Sequence, residues 1–207
     1  MKHFPELQLT PIGARVLGCL LEKEATTPDQ YPLTLNAIVA ACNQSTSRDP
    51  VTSHTPSEIE DALRQLGEDY LVTRLLGGRA PRFEHNLGDV LALTSGERAV
   101  FTVLLLRGTQ TAGELKQRTE RMHVFSSLDE VEEILGGFIE YPHGPLVVRL
   151  PAGGGRRVDT FRHLLCGDAA AEDDSGTPEP DDWREWIEKR VAALESELNE
   201  LRARLGD

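Results

Sequence analysis

Two stretches of this chain repeat the same order of predicted elements, and this repetition constrains the fold more than any other feature of the sequence. One begins at Leu9-Thr10-Pro11 and the other at Leu93-Thr94-Ser95. Each predicts three helices followed by a β-hairpin that carries arginines. That order is typical of the winged helix-turn-helix layout, and a repeat decides the architecture as a whole. The predicted fold class is helix-dominated α+β, with two tandem winged helix-turn-helix domains and a C-terminal coiled-coil helix.

Threonines that can cap a helix mark where the helices of the first repeat begin. Thr10 and Thr55 each precede a proline, which suits the first position of a helix because its missing N–H has no partner there. Thr34 caps a second predicted helix over 35–42, and a long polar loop over 43–55 follows. The apolar residues expected on the buried faces recur at helical spacing: Ile12, Val16, Leu17, Leu20, Leu21, Leu35, Ile38, Val39, Ile59, Ala62, Leu63 and Leu66.

The second repeat follows the same scheme. Capping boxes begin at Thr94 and Thr111, a third helix is predicted over 127–136, and a strand over 138–141. The helical residues expected to be buried are Val100, Phe101, Leu104, Leu105, Leu128, Val131 and Leu135.

A predicted hairpin ends each repeat. In the first, Gly77 and Gly78 form a two-residue turn between strands over 71–76 and 79–85, because glycine adopts the positive φ that so tight a turn requires. The second hairpin is predicted within 146–164.

The C-terminal part of the chain differs in composition from the repeats. Winged-helix domains over 1–88 and 89–166 are followed by an acidic, flexible linker over 167–182. Residues 183–207 predict a coiled coil that forms a parallel homodimer, with apolar residues in steps of four and three: Ile187, Val191, Leu194, Leu198, Leu201 and Leu205. The alternative is an amphipathic helix that folds back on its own domain, because short coiled coils are marginal alone.

The net charge of −12 is concentrated at the C-terminus. Residues 1–86 carry a net charge of −3 and residues 87–165 carry −1, whereas residues 166–207 carry −8. The repeats are therefore close to neutral, and acidity alone does not exclude a nucleic-acid partner.

Patterns of catalytic or metal-binding residues do not stand out. The six histidines are scattered, and no cysteine has the spacing of a metal site. Neither a nucleophile elbow nor a P-loop or dinucleotide fingerprint occurs. We therefore expect a protein that is not an enzyme and that uses no cofactor and no metal.

The sequence also favours a cytoplasmic protein without a membrane partner. No apolar run approaches the length of a membrane span, and the N-terminus lacks the apolar core of a signal peptide. Cys19 and Cys42 fall in apolar helical stretches, where we expect buried free thiols.

Motifs over nearly the whole chain carry a family resemblance. The run ARVLGCLLEKE at 14–24 follows LTP at 9–11 and precedes TTPDQYPL at 26–33, and further matching motifs lie at 36, 41–44, 48–51, 104–108, 113–115, 118–119, 145–151 and 163–164. Together they resemble the bacterial YceH family. The resemblance implies a tandem winged-helix protein that often ends in a coiled coil, and it supplies no activity. This chain departs from the family pattern at Gly13, Ser45, Thr160 and Phe161.

The third helices argue against a recognition helix in the major groove. Both are acidic, with a single basic residue, Arg64, in the first and none in the second. Their carboxylates are Glu58, Glu60, Asp61, Glu68, Asp129, Glu130, Glu132 and Glu133. Carboxylates repel the phosphates that supply most of the affinity for a duplex.

The hairpins, in contrast, are basic. Their positive or titratable side chains are Arg74, Arg79, Arg82, His85, Arg149, Arg156, Arg157 and Arg162. We predict a non-enzymatic regulatory protein that contacts nucleic acid, with double-stranded DNA as the candidate partner, through these hairpins. Two alternatives stay open. The arginines can protect solvated strand edges, or the protein can be an adaptor whose acidic third helices and coiled coil meet basic protein surfaces without DNA.

The insertion between the first two helices has two interpretations. Pro28 and Pro32 stiffen it, and Tyr31 offers a side chain of the kind favoured at interface centres, which predicts a partner-docking loop. The alternative is a packed turn that covers the core.

Overall fold

Helices make up nearly half of the described part of the chain, which comprises residues 8–153 and 157–167 of a computed structural model, and strands make up much less. The helices are α1 (Pro11–Thr26), α2 (Leu35–Cys42), α3 (Pro56–Glu68), α4 (Leu87–Leu91), α5 (Ser95–Arg107), α6 (Ala112–Arg118) and α7 (Leu128–Ile139), with a 3-10 turn at Pro28–Gln30. The strands are β1 (Leu33–Thr34), β2 (Val72–Leu75), β3 (Arg82–His85), β4 (Val147–Leu150) and β5 (Thr160–His163). The fold is therefore a helix-dominated α+β fold, as predicted.

Some predicted features lie outside the described residues. They are the linker beyond Gly167, the coiled coil over 183–207 with its six dimerisation residues, and Arg156.

Capping side chains hold the helix N-termini where the sequence predicts them. The Thr10 hydroxyl accepts a hydrogen bond of 3.1 Å from the first turn of α1. At α3 the Thr55 N–H donates to the Glu58 carboxylate at 2.7 Å, and the Glu58 N–H donates to the Thr55 hydroxyl at 3.3 Å. Thr94 and Thr111 form the same capping box at α5 and α6. Each repeat therefore begins its helices by the same local chemistry.

The two repeats also share a sheet arrangement. In the first, β1, β3 and β2 form an antiparallel sheet in that order, and β1 lies directly before α2. In the second, β4 pairs with β5. Gln110, directly before the cap of α6, bridges to Phe161 on β5 with N–O distances of 2.9 and 2.7 Å. In both repeats, an extended segment between the first two helices thus joins the hairpin.

A single buried apolar cluster runs through both repeats. α1 packs against α5, and a Cβ atom at Gly18 would lie 2.9 Å from the Leu106 side chain. The predicted domain boundary between residues 88 and 89 falls inside α4. Burial is confirmed for most of the predicted helical faces: Val16, Leu17, Leu20, Leu21, Ile38, Ile59, Ala62, Leu63, Leu66, Val100, Phe101, Leu104, Leu105, Val131 and Leu135. The exceptions in the first repeat, Ile12, Leu35 and Val39, are half-buried.

Three local predictions are wrong. The first hairpin does not have a two-residue turn, because Leu75 pairs with Arg82 and six residues lie between them. Pro81, which lacks an N–H, cannot extend the ladder beyond that pair. Residues 138 and 139 belong to α7 rather than to a strand, since the Phe138 ring packs 5.4 Å from that of Phe101 in the core.

The third wrong prediction concerns Leu128, which was expected to be buried. It is 41% exposed at the first position of α7. Its side chain lines a surface groove described below. The helix α4 and the strand β1 were not predicted, and both are too short to give a periodic signal.

Candidate nucleic-acid and partner interfaces

The first hairpin presents two arginines to solvent. Arg74 lies on β2 and Arg79 in the six-residue turn, and both are exposed. Within the described part of the chain, neither forms an ion pair. Both therefore keep their charge available to an anionic partner.

Arg82 and His85, from the same hairpin, are held by the protein itself. The Arg82 guanidinium donates to the Pro32 carbonyl at 2.5 Å. The His85 side chain is 3% exposed, and its Nε2 atom lies 3.0 Å from a Glu24 carboxylate oxygen. The His85 ring is therefore buried and does not lie at the surface where a partner would contact it.

The 28–32 insertion packs against this hairpin. The Tyr31 hydroxyl accepts a hydrogen bond of 2.7 Å from the His85 backbone N–H, and burial raises the Tyr31 pKa above its ordinary value. Pro32 supplies the carbonyl that binds Arg82, whereas Pro28 begins the exposed 3-10 turn. Tyr31 and Pro32 therefore contact the hairpin, whereas the 3-10 turn that Pro28 begins is exposed.

The second hairpin has a different charge arrangement. Arg149 on β4 forms an ion pair with Asp159, whose carboxylate also accepts a hydrogen bond of 2.7 Å from the Ala152 N–H. The hydrogen bond from Ala152 and the charge of Arg149 lower the pKa of Asp159. Arg157 is exposed in the loop before β5, and Arg162 is half-buried on β5. Arg149 is therefore already neutralised, and Arg157 is the exposed arginine that makes no ion pair within the described residues.

A groove of about 530 Å³ lies between α3 and the first hairpin, and its lining combines charged residues with the apolar residues Leu63, Val72 and Phe83. Glu60, Asp61 and Arg64 lie on the α3 wall and Arg74 on the hairpin wall. Arg64 is occupied locally, because it pairs with Asp61 at 2.9 Å and with Glu68 at 3.5 Å on its own helix. This groove, called here the first groove, keeps an acidic wall opposite Arg74.

The corresponding second groove lies between α7 and the second hairpin and measures about 800 Å³. Its lining includes small and apolar residues from α6, α7 and the hairpin: Ala112, Gly113, Leu128, Gly136, Ile139, Ala152, Val158 and Phe161. Glu132, Arg149, Arg157 and Asp159 stand at its walls. Each groove thus has four charged lining residues, and the second groove adds more small and apolar residues to them than the first does.

A buried ion pair that the sequence pattern does not predict organises the 43–55 loop. The Arg48 side chain is completely buried, and it donates to both Glu22 carboxylate oxygens at 3.0 and 2.7 Å and to the Ala41 carbonyl at 3.0 Å. Burial alone would raise the Glu22 pKa, but the Arg48 hydrogen bonds and charge outweigh it, so that pKa is lowered. Arg15, also buried, donates to the Pro50 carbonyl at 2.8 Å.

Signals for this cluster were present in the sequence. Arg15 interrupts an otherwise apolar helical face, and Arg48 belongs to one of the motifs shared with the family. These arginines hold the loop to α1, so their role is structural. Cys19 and Cys42, beside them, are buried free thiols as predicted.

Neither a metal cluster nor a membrane span is found in the part of the chain that the structure describes. No three His, Cys, Asp or Glu side chains gather there in a way that could hold a metal ion. Among the same residues, no helix combines the length and apolar character that crossing a bilayer requires.

Comparison with known proteins places this helix-dominated α+β protein, with its repeated helices and arginine-bearing hairpins, in a family. Residues 9–156 match the family described as "Protein of unknown function, DUF480". The chain is 45% identical over 210 residues to a UPF0502 protein of Klebsiella pneumoniae (strain 342), covering 96% of this chain and 94% of that protein. It is 44% identical over 205 residues to the UPF0502 protein YceH of Salmonella paratyphi C (strain RKS4594), with the same coverage. The chain therefore belongs to the UPF0502/YceH family, as its motifs predicted.

Proposed function

We propose that this protein is a non-enzymatic regulatory protein, built from two tandem winged helices, that contacts nucleic acid through its hairpins. The observation that carries the proposal is the first hairpin, where Arg74 and Arg79 are exposed without an ion pair among the described residues. Arginine in this position binds phosphate oxygens by charge-assisted hydrogen bonds. Fold alone does not establish function, so the proposal rests on these side chains.

The acidic residues of α3 and α7 limit the orientations in which a DNA duplex can approach the protein. Glu60 and Asp61 on α3 and Glu132 on α7 would face phosphates if either helix entered the major groove. Contact led by the first hairpin keeps them away from the backbone. Arg79, at the turn, is the residue best placed to make it.

Fluorescence anisotropy of a labelled DNA duplex with the full-length protein tests the proposal, at about 50 and about 200 mM salt. We expect binding of about micromolar strength that weakens as salt rises and that Arg74→Ala with Arg79→Ala abolishes. The matched control is Arg64→Ala, which removes an exposed arginine already paired on α3. No binding by the natural protein at the lower salt would reject the proposal.

A protein–protein adaptor is the second candidate, and the second groove favours it. That groove is largely apolar and contains Leu128 at 41% and Val158 at 58% exposure, beside the acidic surface of α7. An adaptor binds a defined protein and shows no affinity for the duplex in the same anisotropy measurement. The two candidates are therefore separated by one titration.

A further inference from the structure

The second groove has the features of a site for an apolar protein segment. Along α7, Leu128, Glu132 and Gly136 are spaced by four residues and line one side of it. Val158 and Phe161 lie on the opposite side. The exposed fraction of Val158, 58%, leaves apolar surface in water that a partner could cover.

Gly136 makes this groove accessible to another main chain. A Cβ atom built there would meet nothing within 4 Å, so the space above the α7 backbone is open. A glycine at such a place permits close approach of a second backbone. In the first groove, α3 contributes the charged residues Glu60, Asp61 and Arg64 together with Leu63 and Gly67.

The charge around the second groove favours an occupant with basic flanks. Glu132 stands at the α7 wall, and Asp129 and Glu133 are exposed on the same helix. On the hairpin wall Arg149 is neutralised by Asp159. Among the described residues of that wall, Arg157 is positively charged and forms no ion pair, so a cation is attracted to the α7 wall, where Glu132 lies. Nucleic acid is disfavoured, since these carboxylates repel phosphate.

The described part of the chain contains a segment of this chemistry. In the first hairpin, Leu75 is 39% and Leu76 is 77% exposed, and Arg74 and Arg79 flank them. Two neighbouring leucines at the turn of a hairpin, with a cation on each side, complement an apolar groove with an acidic wall. Because Leu76 is exposed in its own molecule, it does not fill that molecule's groove.

We propose that the first hairpin of one copy docks into the second groove of a second copy of this chain. Leu75 and Leu76 occupy the apolar groove, and Arg79 faces Glu132. If two copies exchange hairpins reciprocally, both grooves are filled and the pair closes with two-fold symmetry. The proposal goes beyond nucleic-acid binding and does not depend on it, since the contact forms without nucleic acid. Because both contacts use Arg79, a docked hairpin and a DNA duplex compete for that side chain.

Site-specific photocrosslinking of the full-length protein tests this contact. The photoreactive residue benzoylphenylalanine replaces Leu76, and protein labelled with heavy nitrogen is mixed with unlabelled protein before irradiation. We expect crosslinks between one labelled and one unlabelled peptide, joining the first hairpin to α7 or to the second hairpin. Benzoylphenylalanine at Val124, which is 74% exposed outside both grooves, is the control for random collision.

Two neighbouring glycines give a matched pair of variants. Gly136→Gln fills the groove, whereas Gly137→Gln adds the same side chain on the adjacent exposed residue, which does not line it. Neither added Cβ atom meets another atom within 4 Å, so both variants are expected to fold. The crosslink yield should fall about tenfold with Gly136→Gln, as when one buried leucine contact is lost, and stay unchanged with Gly137→Gln.

Charge exchange provides an independent measurement. Glu132→Lys should reduce the crosslink, and combining it with Arg79→Glu should restore it. The proposal is overturned by crosslinks confined to single chains, by crosslinks to another surface such as residues 183–207, or by equal yields from the two glycine variants. Nucleic acid is absent throughout, so failure here is distinguishable from failure of duplex binding.

Discussion

The two repeats share capped helix N-termini and hairpins of four residue pairs, yet they bury different chemistry. When Thr10 is aligned with Thr94, the buried Arg15 of α1 corresponds to Ala99 of α5, and both are inside. The last residue of the hairpin is a histidine in each repeat. His85 contacts Glu24, whereas His163 is buried beside Arg162.

This difference teaches that the layout depends on the apolar faces and the caps rather than on the polar interior. The same layout accepts a buried ion pair in the first repeat and a neutral interior in the second. The grooves differ as well, because each has four charged lining residues but small and apolar residues are more numerous in the second. Changes in each repeat can therefore separate what the shared layout needs from what each copy has added.

The largest expected loss of stability follows from breaking the buried ion pair of the first repeat. Arg48→Ala leaves Glu22 and the Ala41 carbonyl without their guanidinium partner in a largely buried place, which should reduce the free energy of unfolding by about 3–5 kcal/mol. Chemical denaturation measures it. Arg64→Ala, which removes a fully exposed pair in the same repeat, should change little. Similar small losses from both variants would contradict a structural role for the loop cluster.

The second repeat should respond to pH through its histidine. Burial, with a smaller contribution from the charge of Arg162, lowers the pKa of His163 to about 4. An unfolded histidine titrates near pH 6.5, so the unfolded state binds the proton first as the pH falls. The stabilisation that neutral His163 gives to the fold is therefore fully present above about pH 6.5. It decreases as the pH falls to about 4, and the total loss is about 3 kcal/mol at most.

Unfolding free energies of the natural protein and of His163→Gln, measured between these pH values, isolate this contribution. The difference between the two should depend on pH, with the natural protein losing more stability on acidification. His54→Gln, at a half-buried histidine of the first repeat, is the control. Parallel pH curves for the natural protein and His163→Gln would mean that His163 does not remain neutral in the fold.

The contact between the repeats should be sensitive to added volume. A Cβ atom at Gly18 would lie 2.9–3.0 Å from the side chains of Leu105 and Leu106, so Gly18→Ala must displace packed residues between α1 and α5. We expect a loss of about 1–3 kcal/mol in thermal or chemical unfolding. Gly113→Ala meets nothing within 4 Å and should be neutral or stabilising by about 0.5–1 kcal/mol. Equal changes in stability from Gly18→Ala and Gly113→Ala would show that the α1–α5 contact accommodates an added methyl group without cost.

The parts of the fold that could be predicted are those set by local chemistry. Capping boxes indicate where helices begin because both partners lie within one turn, as in Thr55 with Glu58 and Thr94 with Glu97. The end of α7 could not be predicted, since Gly136 and Gly137 resemble a helix stop. What continues the helix is the packing of Phe138 in the core, a tertiary contact.

The candidate sites were harder to predict than the helices for the same reason. The arginine content of the hairpins was visible, but the sequence cannot tell that Arg82 binds the Pro32 carbonyl across 50 residues or that Asp159 neutralises Arg149. The apolar groove of the second repeat depends on Leu128 being exposed, which its helical spacing alone contradicts. Contacts between residues far apart in the sequence determine which arginine charges remain available to a partner.

The smallest expected effect compares one arginine from each hairpin in nucleic-acid binding. If the first hairpin makes the phosphate contact, Arg79→Ala should reduce the slope of log affinity against log salt by about 1, because one contact fewer releases one counterion fewer. Arg157→Ala, which removes an exposed arginine of the second hairpin, should leave the slope unchanged, because the acidic surface of α7 keeps that repeat away from the duplex. Titrations of a labelled duplex at several salt concentrations measure both slopes. Equal reductions would mean that both hairpins contact the backbone, and the difference between the two repeats would then not extend to nucleic acid.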